Sequence, residues 1–484
     1  MDLKLISMPK EEIEAIHRAT LEVLEEVGVR FPDEDALNTL ESAGAIVDRK
    51  NMVARITERT IKDALDKAPR NVVLHARDPE LNVDLQEKES HFCTSGGGAF
   101  IYDLASGERR RSVKADTDNI TKVTDALSHY DIVQPEVMPG DVPERIQDIY
   151  RYAGAFANTS KHISCIVGPG TTREEAREIV EMATCVARGR DELRRKPIIS
   201  IQEEPISPLQ YSANDLQVII EYARHGIPIA IYSLTIGGAT APVTLAGQLV
   251  VINAELLAAI ALVQSINRGN VVLYGSASSV MDMKTGNLAL GAPERAILDV
   301  ATANLARYYG LPSMVVALNT EASMPGTQAA FEKTLTSLPP VLAGANIVIG
   351  GATLDSGNTY SFEQLVIDDE ICSGMTRIAR GFNVDDETLA LDIIEDVGIG
   401  GHYLESRHTV RHVSTDHWYP MLYKRIKRTE PSWNLDLMGH HDLAGTAKAK
   451  ANDILANHKP EPLEKEIEKK IRAIVAKAER CSMR

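Results

Sequence analysis

Polar and aromatic side chains recur directly after short apolar segments in the central part of the chain. They are Gln202-Glu203-Glu204, Tyr232-Ser233, Tyr274-Gly275-Ser276, Asn319-Thr320-Glu321 and Gly350-Gly351. Aromatic faces combined with carboxylates are suited to binding a cation, above all a quaternary ammonium, which cannot donate hydrogen bonds. The alternative is that Tyr232 and Tyr274 only fill the core, and the residue types favour neither interpretation.

A glycine turn follows one of these segments in "IAIYSLTIGGATAPVTLAGQLVV", which begins at Ile229. The turn lacks the lysine and the spacing of a P-loop. Thr240 as helix cap and Pro242 at the first helical position predict a helix N-terminus after Gly237 and Gly238. Such a terminus favours a small anion such as a carboxylate, and a betaine carries both a carboxylate and a quaternary nitrogen.

Two further groups of side chains could bind a metal ion. In "RHTVRH", His408 and His412 lie four residues apart, but no HExxH glutamate lies between them and no third ligand follows at a telling spacing. In "VIDDEI", residues 366–371, three carboxylates are grouped on a helix. Surface histidines and a local carboxylate network are favoured over zinc and magnesium sites, so we predict no metal site.

Strand-like runs alternate with helical stretches from about residue 131 onward. The runs are "DIVQPEV", "HISCIVG", "PIISIQEE", "IPIAIYSL", "VVLYGSA", "PSMVVALN" and "ANIVIGG". They are apolar on both faces, which is typical of buried parallel strands. Seven runs plus one strand from the N-terminal region predict an α/β protein with a (β/α)₈ TIM barrel. An open doubly wound sheet is the alternative, but no G-x-G-x-x-G follows a strand.

The ends of the chain differ from this pattern. We predict an N-terminal helical or α+β extension over 1–90, the barrel over 91–400, and a C-terminal segment with a helical tail over 401–484. Gly28 is suited to ending the first helix. Ile467, Ile471, Ile474, Val475 and Ala478 share one face of the last helix, which we expect to pack on the barrel or on a neighbouring subunit.

The composition excludes several classes of protein. Of 484 residues, 44% are hydrophobic and 25% charged, and the net charge of -16 disfavours nucleic acid as a partner. The sequence contains no uncharged apolar run of about 18 residues, so we predict no membrane span. The five cysteines are scattered without a CxxC pair, and the N-terminus lacks the features of an export signal. We therefore expect a cytoplasmic protein without disulfides.

Several long motifs together resemble the trimethylamine methyltransferase family. They are "GGATAPVTLAGQLVVINAELLAAIALVQ", "MDMKTGNLALGAPE", "PISPL", "GGGAFIYDLASGERR" and "IDDEICSGMTRIARGFNVDDETLALDIIEDVGIGGHYL". The similarity extends from "LEVLEEVGVRF" into "GGHYLESRHTVRH", which is nearly the whole chain. It implies a TIM barrel that moves a methyl group from a methylated amine to the Co(I) centre of a separate corrinoid protein.

One branch of that family carries pyrrolysine near the stretch corresponding to "NTEASMPGTQAAFEK", at a position close to Ser323 or Met324. This chain has only standard residues there and so resembles the branch without pyrrolysine. The known substrates of that branch are quaternary amines such as glycine betaine, proline betaine, carnitine and γ-butyrobetaine. A quaternary amine leaves as a neutral amine, so no strict acid–base catalyst and no tightly bound cofactor are expected. Many relatives carry His or Tyr where this chain has Ile349, which argues for a betaine bulkier than glycine betaine or held differently.

Strand-end and loop positions supply the candidate substrate contacts. They are Phe100, Tyr102, Gln202, Glu204, Tyr232, Tyr274, Asn319, Glu321, Tyr360 and Phe362. Gly237, Gly238 and Thr240 form the candidate carboxylate-binding turn, and Arg407, His408, Arg411 and His412 form a candidate rim for docking the corrinoid protein. Two other functions stay open: a betaine-binding or regulatory protein without catalysis, and a metal-dependent lyase using Glu203 and Glu204. For the methyltransferase and for both alternatives, we expect a homo-oligomer.

Overall fold

The N-terminal extension consists of three helices and five short strands. The computed structural model describes residues 7–86, 89–135, 137–168, 170–423, 425 and 443–482. The elements of the extension are α1 (Lys10–Glu26), β1 (Val29–Arg30), α2 (Glu34–Ser42), β2 (Ile46–Asp48), β3 (Val53–Arg55), α3 (Glu58–Lys67), β4 (Val73–Leu74) and β5 (Val83–Asp84). Gly28 follows α1 with a φ of +81°, and a Cβ there would come within 2.7 Å of the Ala54 carbonyl oxygen. Glycine is therefore required at this turn, as predicted.

The central region contains the remaining strands and nine helices in an alternating order. They are β6 (His91–Thr94), β7 (Phe100–Tyr102), β8 (Arg109–Arg111), α4 (Lys114–Ala126), β9 (Ile132–Val133), α5 (Gln147–Asn158), β10 (His162–Ile166), α6 (Arg173–Val186), α7 (Arg190–Arg195), β11 (Ile199–Glu203), α8 (Ala213–His225), β12 (Ile229–Ser233), β13 (Ile236–Gly237), α9 (Leu245–Ile266), β14 (Val272–Ser276), β15 (Ser279–Met281), β16 (Leu288–Ala289), α10 (Pro293–Tyr309), β17 (Ser313–Val315), α11 (Thr327–Leu342), β18 (Ile347–Gly351), β19 (Thr353–Leu354), β20 (Thr359–Tyr360) and α12 (Phe362–Arg380).

Eight of these strands pair in parallel and close into a barrel. Their order is β6, β9, β10, β11, β12, β14, β17 and β18, and β18 pairs with β6 to complete the ring. All seven runs identified in the sequence supply one strand each, and the N-terminal region supplies the eighth. The predicted (β/α)₈ TIM barrel is therefore confirmed, and the alternative of an open sheet is wrong.

Side chains alternate between the interior of the barrel and the surrounding helices, as the pleat of a strand requires. Cys93, Ala230, Tyr232, Leu273 and Ile349, which come from four different strands, pack together in the interior. The intervening residues of β11 and β12 are isoleucines that pack against the helices: Ile199, Ile201, Ile229 and Ile231. Because both faces of each strand are buried, the runs are apolar throughout.

The two ends of the barrel are built differently. At the N-terminal end, the antiparallel pair β4 and β5 places Val72, Leu74, Val83 and Leu85 against the interior residues. At the carboxyl end, β7 and β8 follow β6, while β19 and β20 follow β18, and these four strands form one small sheet. Chemistry in TIM barrels lies at the carboxyl end, and here this end carries the additional sheet.

Helix α9 is long and apolar enough to cross a membrane by length and composition, and 78% of its most apolar window is buried within the protein. It packs against α1, α2 and α3 on one side and against β12 and β14 on the other. A core helix of a large domain has the same composition, and the burial of α9 is that of a core helix.

The described residues of the C-terminal tail, 381–423, 425 and 443–482, contain five helices. They are α13 (Asp386–Leu389), α14 (Leu391–Val397), α15 (Arg407–Asp416), α16 (Leu443–Asn457) and α17 (Lys465–Ser482). Helix α17 buries Ile471, Ile474 and Ala478 against α5 and α6, so the prediction that it packs on the barrel is confirmed. The first barrel strand begins at His91 and the last barrel helix ends at Arg380, while the proposed boundaries at 90 and 400 stay predictions.

Candidate functional site

A column of polar side chains lines one wall of the barrel interior. His162 Nε2 lies 2.9 Å from Ser200 Oγ, which donates a hydrogen bond of 2.9 Å to Ser164 Oγ. Gln202 Nε2 then donates to Ser164 Oγ at 3.0 Å and to Gln134 Oε1 at 3.2 Å. Burial lowers the pKa of His162 to about 4, so this imidazole is neutral at physiological pH. The column holds the Gln202 amide in a fixed orientation near the carboxyl end of the barrel.

Tyr232 and Glu204 lie at the same end of the interior. Tyr232 is only 4% exposed and packs with the apolar interior residues. Burial raises the pKa of its phenol well above the usual range, and the charges of Glu204, Glu203 and Tyr360 raise it further. Glu203 pairs with Ile231, so Glu204 and Tyr232 are the next residues of two adjacent strands. Their contact with a substrate stays a prediction.

Glu203 and Glu204 face different surroundings although they are adjacent in the chain. Glu203 alternates with Ile199 and Ile201 and lies toward the helices, where it is buried and its Oε1 has no hydrogen-bond partner among the described residues. Glu204 directly follows β11 and is partly exposed. Burial, followed by the charge of Asp215, raises the pKa of Glu204 to about 7.

Tyr274 lies outside the barrel interior, and its predicted role as a substrate contact is wrong. Its hydroxyl donates to Asn253 Oδ1 on α9 at 2.9 Å, and its ring packs 5.8 Å from that of Tyr309 on α10. On β14 the interior positions belong to Leu273 and Gly275, between which Tyr274 must point outward. Tyr274 is a core residue of the helical layer.

The small sheet at the carboxyl end positions three candidate contacts: Phe100, Tyr102 and Tyr360. Arg109 covers the ring of Phe100, with its guanidinium carbon 3.8 Å from the ring centroid. The Tyr102 hydroxyl donates to the Ser323 carbonyl oxygen at 2.7 Å. Tyr360 is fully buried, and a Cβ at Gly98 would lie 2.2 Å from its ring. Of the three, Tyr360 contributes to raising the pKa of Tyr232, after burial and the two glutamates.

Phe362 is the first residue of α12 and is buried. It belongs to the same apolar cluster as Tyr360, together with Ile120, Val123 and Leu365. Its contact with substrate stays a prediction.

Asn319 and Glu321 follow β17 but have different environments. Asn319 is buried, and its Oδ1 accepts a 2.6 Å hydrogen bond from the Thr353 hydroxyl. Glu321 is exposed and accepts a long hydrogen bond of 3.4 Å from the Gly291 amide. Ser323 and Met324, also exposed, lie on the same loop at the carboxyl end. The loop thus contributes to the mouth of the barrel, with Asn319 nearest to the interior layer.

The glycine turn is not the helix N-terminus predicted from the sequence. Helix α9 begins at Leu245 with Thr244 as its N-cap, so Thr240 and Pro242 precede the helix. The Thr240 hydroxyl instead accepts a 2.8 Å hydrogen bond from the Ile236 amide. The turn amides already donate to backbone carbonyls within the turn: those of Gly238, Ala239, Thr240 and Ala241. The proposed use of Gly237, Gly238 and Thr240 as an anion cradle is therefore wrong.

Sequence reasoning missed the residues that fix the ends of the strands. The fully buried Arg151 donates to the Pro135 carbonyl oxygen at 2.6 Å and pairs with Asp148 at 2.7 Å. Asp148 in turn accepts from the Gly168 amide at 3.0 Å. The loops after β9 and β10 are thereby tied together at the mouth. Gln134 was missed although it ends the run "DIVQ" in the same way that Gln202 ends its own run.

The acidic run at 366–371 forms a buried network rather than a metal site. Asp368 pairs with Lys333, Asp369 accepts from the His129 amide, and Glu370 accepts from the Met421 amide.

The candidate docking rim lies elsewhere, on α15. There His408, Arg411 and His412 surround Glu387, while Arg407 is exposed at the start of the helix.

Comparison with known proteins agrees with the similarity in the motifs. The family model for trimethylamine methyltransferase (MTTB) matches residues 3–482. Trimethylamine methyltransferase MttB of Desulfitobacterium hafniense is 36% identical over 475 residues, covering 98% of this chain and 94% of that protein. MttB of Methanosarcina barkeri is 38% identical, with 97% and 94% covered. A glycine betaine methyltransferase of Desulfitobacterium hafniense is 32% identical, with 97% and 96% covered.

Comparison with solved structures gives matches that include a methyltransferase of another methylamine. The Methanosarcina barkeri monomethylamine methyltransferase (MtmB) is 10% identical with a TM-score of 0.48, over 99% of this chain and 93% of that chain.

Proposed function

The chain belongs to the trimethylamine methyltransferase family, and from this premise we propose that it transfers a methyl group from a quaternary amine to the Co(I) centre of a separate corrinoid protein. The observation that carries the proposal is the register of two neighbouring strands: Glu203 of β11 pairs with Ile231 of β12, so that Glu204 and Tyr232 come next on adjacent strands at the carboxyl end of the barrel. An aromatic face and a carboxylate together stabilise a cation that has no hydrogen to donate. The corrinoid is a co-substrate delivered by the partner protein.

The reaction needs no proton from this chain. The methyl carbon accepts the electron pair of Co(I) while the carbon–nitrogen bond breaks and its pair remains on nitrogen, so the amine leaves neutral. The neutral His162 and the Gln134–Gln202 pair are consistent with a positioning role, because none of them is required to change its protonation state. The contribution of the protein is to hold the methyl in line with the cobalt and to remove water from the cation.

The interior favours a betaine larger than glycine betaine or one held in a different way. Ile349 is 1% exposed and packs in the interior cluster, so this position offers no hydrogen-bond donor to a substrate carboxylate. The turn at 237–241 uses its own amides and does not replace that donor. A substrate with an additional apolar portion, such as proline betaine, carnitine or γ-butyrobetaine, suits an apolar wall better than glycine betaine does.

Methylation of reduced corrinoid tests the proposal. The purified chain is mixed with Co(I) cobalamin and each of trimethylamine, glycine betaine, proline betaine, carnitine and γ-butyrobetaine, and the loss of the Co(I) spectrum is followed. We expect turnover with one quaternary amine and none with trimethylamine. Tyr232→Leu should lose turnover with that amine, and Tyr274→Leu, which changes a tyrosine outside the interior, is the matched control.

Two results would lead to other functions. Binding of a betaine, measured by calorimetry, without loss of Co(I) would identify a binding or regulatory protein. Turnover that requires an added divalent metal and stops with a chelator would identify a lyase.

A further inference from the structure

Three side chains in the C-terminal tail form a cluster that the proposed binding of the amine does not use. His408 and His412 lie one turn apart on α15, and Glu387 lies on the short helix α13. Their ligand atoms all lie within 4.8 Å of one another, and they form the one such group of three found among the described residues. Glu387 precedes His408 by 21 residues, so the sequence alone does not indicate that it completes the histidine pair.

Both ring nitrogens of His412 face a carboxylate oxygen. Nδ1 lies 3.3 Å from Asp416 Oδ2, and Nε2 lies 3.2 Å from Glu387 Oε1. A neutral imidazole carries one N–H and one lone pair, so it can donate to only one of the two carboxylates. A metal ion bound at Nε2 would let Nδ1–H donate to Asp416 while Glu387 coordinates the same ion.

The surrounding helices have little else to stabilise them. Helices α13, α14 and α15 contain no buried residue, and large apolar side chains along this segment are exposed, including Leu391, Ile399, Leu404 and Val410. The Arg377 guanidinium connects the segment to α12 through the Asp416 carbonyl oxygen. A segment without a hydrophobic core of its own commonly derives its stability from a metal ion or from a partner.

We propose that Glu387, His408 and His412 bind one divalent transition metal ion of the zinc type. Two imidazoles and one carboxylate are a common zinc ligand set, and three protein ligands leave a position open for water. Asp416 supplies the carboxylate that orients a ligating histidine from its second ring nitrogen. The ion joins α13 to α15 and thereby stabilises the segment from 386 to 416.

The ligands must move closer together to bind the ion. Zinc–ligand bonds of about 2.0–2.1 Å place tetrahedral ligand atoms about 3.3 Å apart, whereas these atoms spread over as much as 4.8 Å. The side chains of Glu387 and His412 are 54% and 21% exposed, so their rotamers are free to adjust. Arg411 pairs with the same Glu387 oxygen that faces His412 and must release it. The arginine therefore competes with the metal for Glu387.

Equilibrium dialysis of the full chain against Zn²⁺, with the bound metal counted by elemental analysis, tests the proposal. We expect one Zn²⁺ per chain. Loss of a direct ligand in His408→Gln or His412→Gln should weaken binding more than the roughly 10- to 100-fold that is typical of losing an outer-shell partner, which is the effect expected for Asp416→Asn. Arg411→Gln should strengthen binding, because the competing cation is removed. His402→Gln, an exposed histidine of the same segment, is the matched control.

Several outcomes would overturn the site. They are zinc binding that is unchanged in His408→Gln and His412→Gln, no zinc bound by the wild type, or weaker binding in Arg411→Gln. Substitution with Co²⁺ gives a second readout, because ligation by imidazole produces visible absorption bands that His412→Gln should remove. Circular dichroism of each variant establishes that it is folded. None of these measurements depends on methyl transfer, so the metal site and the proposed reaction can fail separately.

Discussion

Lys333 on α11 and Asp368 on α12 form an ion pair of 2.8 Å in which neither side chain is exposed. Lys333 Nζ also donates to the carbonyl oxygens of Leu318 and Gly350, at the ends of two neighbouring barrel strands. Asp368 accepts from the Ala352 amide at 2.8 Å. One buried pair thus connects two helices to the strand ends that carry Asn319 and the interior residue Ile349. Its effect on the site is positional, because it holds the backbone there.

Removing the Lys333 ammonium should therefore lower the stability of the protein. Lys333→Met leaves the Asp368 charge and two carbonyl oxygens without their donor, and we expect the free energy of unfolding to fall by about 3–5 kcal/mol. Urea denaturation measures the change. The double variant Lys333→Met/Asp368→Asn should recover part of the loss, since the isolated buried charge is gone. A double variant as unstable as the sum of the two single variants would show that the pair is not coupled.

Binding of a quaternary amine should strengthen as the pH rises through neutrality. The pKa of Glu204 is about 7, raised by burial, so the carboxyl is mostly neutral at pH 6 and mostly ionised at pH 8. Because the ionised form attracts the cation, the apparent affinity should increase about tenfold over this range. Calorimetric titration at each pH measures it, using the amine that is turned over.

Glu204→Gln supplies the control for this pH dependence. The amide cannot ionise, so the variant should bind the amine more weakly at pH 8 and with no dependence on pH between 6 and 8. Glu321→Gln, an exposed carboxyl on a neighbouring loop, should retain the wild-type profile. A pH dependence that persists in Glu204→Gln would assign the titration to another group.

The barrel was predictable from the sequence because its strands are buried on both faces. The resulting apolar runs are separated by helices, and counting them was sufficient. The same property explains the error at Tyr274. A run that is apolar on both faces does not show which side chains face the interior, so the register of β14 decided its orientation. Tyr232 and Gln202, in contrast, occupy positions on their strands whose side chains face the interior of the barrel.

Other parts of the site depend on contacts between distant residues. Lys333 and Asp368 are 35 residues apart, and their pairing follows from the packing of α11 on α12. Helix α9 begins at Leu245 and not near Thr240 as predicted. Residues 236–241 instead form a turn with its own hydrogen bonds, and the first two of them form the short strand β13. Local sequence signals for caps could not anticipate this competition between the turn and the helix.

Glu203 should reduce the stability of the protein at neutral and alkaline pH. Burial raises its pKa well above the usual range, followed by the charges of Asp215 and Glu204. Since the folded state holds the proton more tightly than the unfolded state, this group contributes stability below the unfolded pKa and loses it as the pH rises. Glu203→Gln should therefore be more stable than wild type at pH 8, by about 1–3 kcal/mol. Thermal unfolding between pH 5 and 8 measures the difference, with the exposed Glu26→Gln as control.

Substitution of Tyr232 should lower the affinity for the quaternary amine, whereas substitution of Tyr274 should lower only the stability of the protein. Tyr232 offers its ring to the interior, and a desolvated contact between a cation and an aromatic ring is worth about 2 kcal/mol, or about thirtyfold in affinity. Tyr232→Leu should weaken binding of the quaternary amine by that factor, while Tyr232→Phe, which keeps the ring, should retain most of it. Tyr274→Phe loses the hydrogen bond to Asn253, so the free energy of unfolding should fall by about 1 kcal/mol with affinity unchanged. Equal losses of affinity in Tyr232→Leu and Tyr274→Leu would contradict the assignment of only Tyr232 to the site.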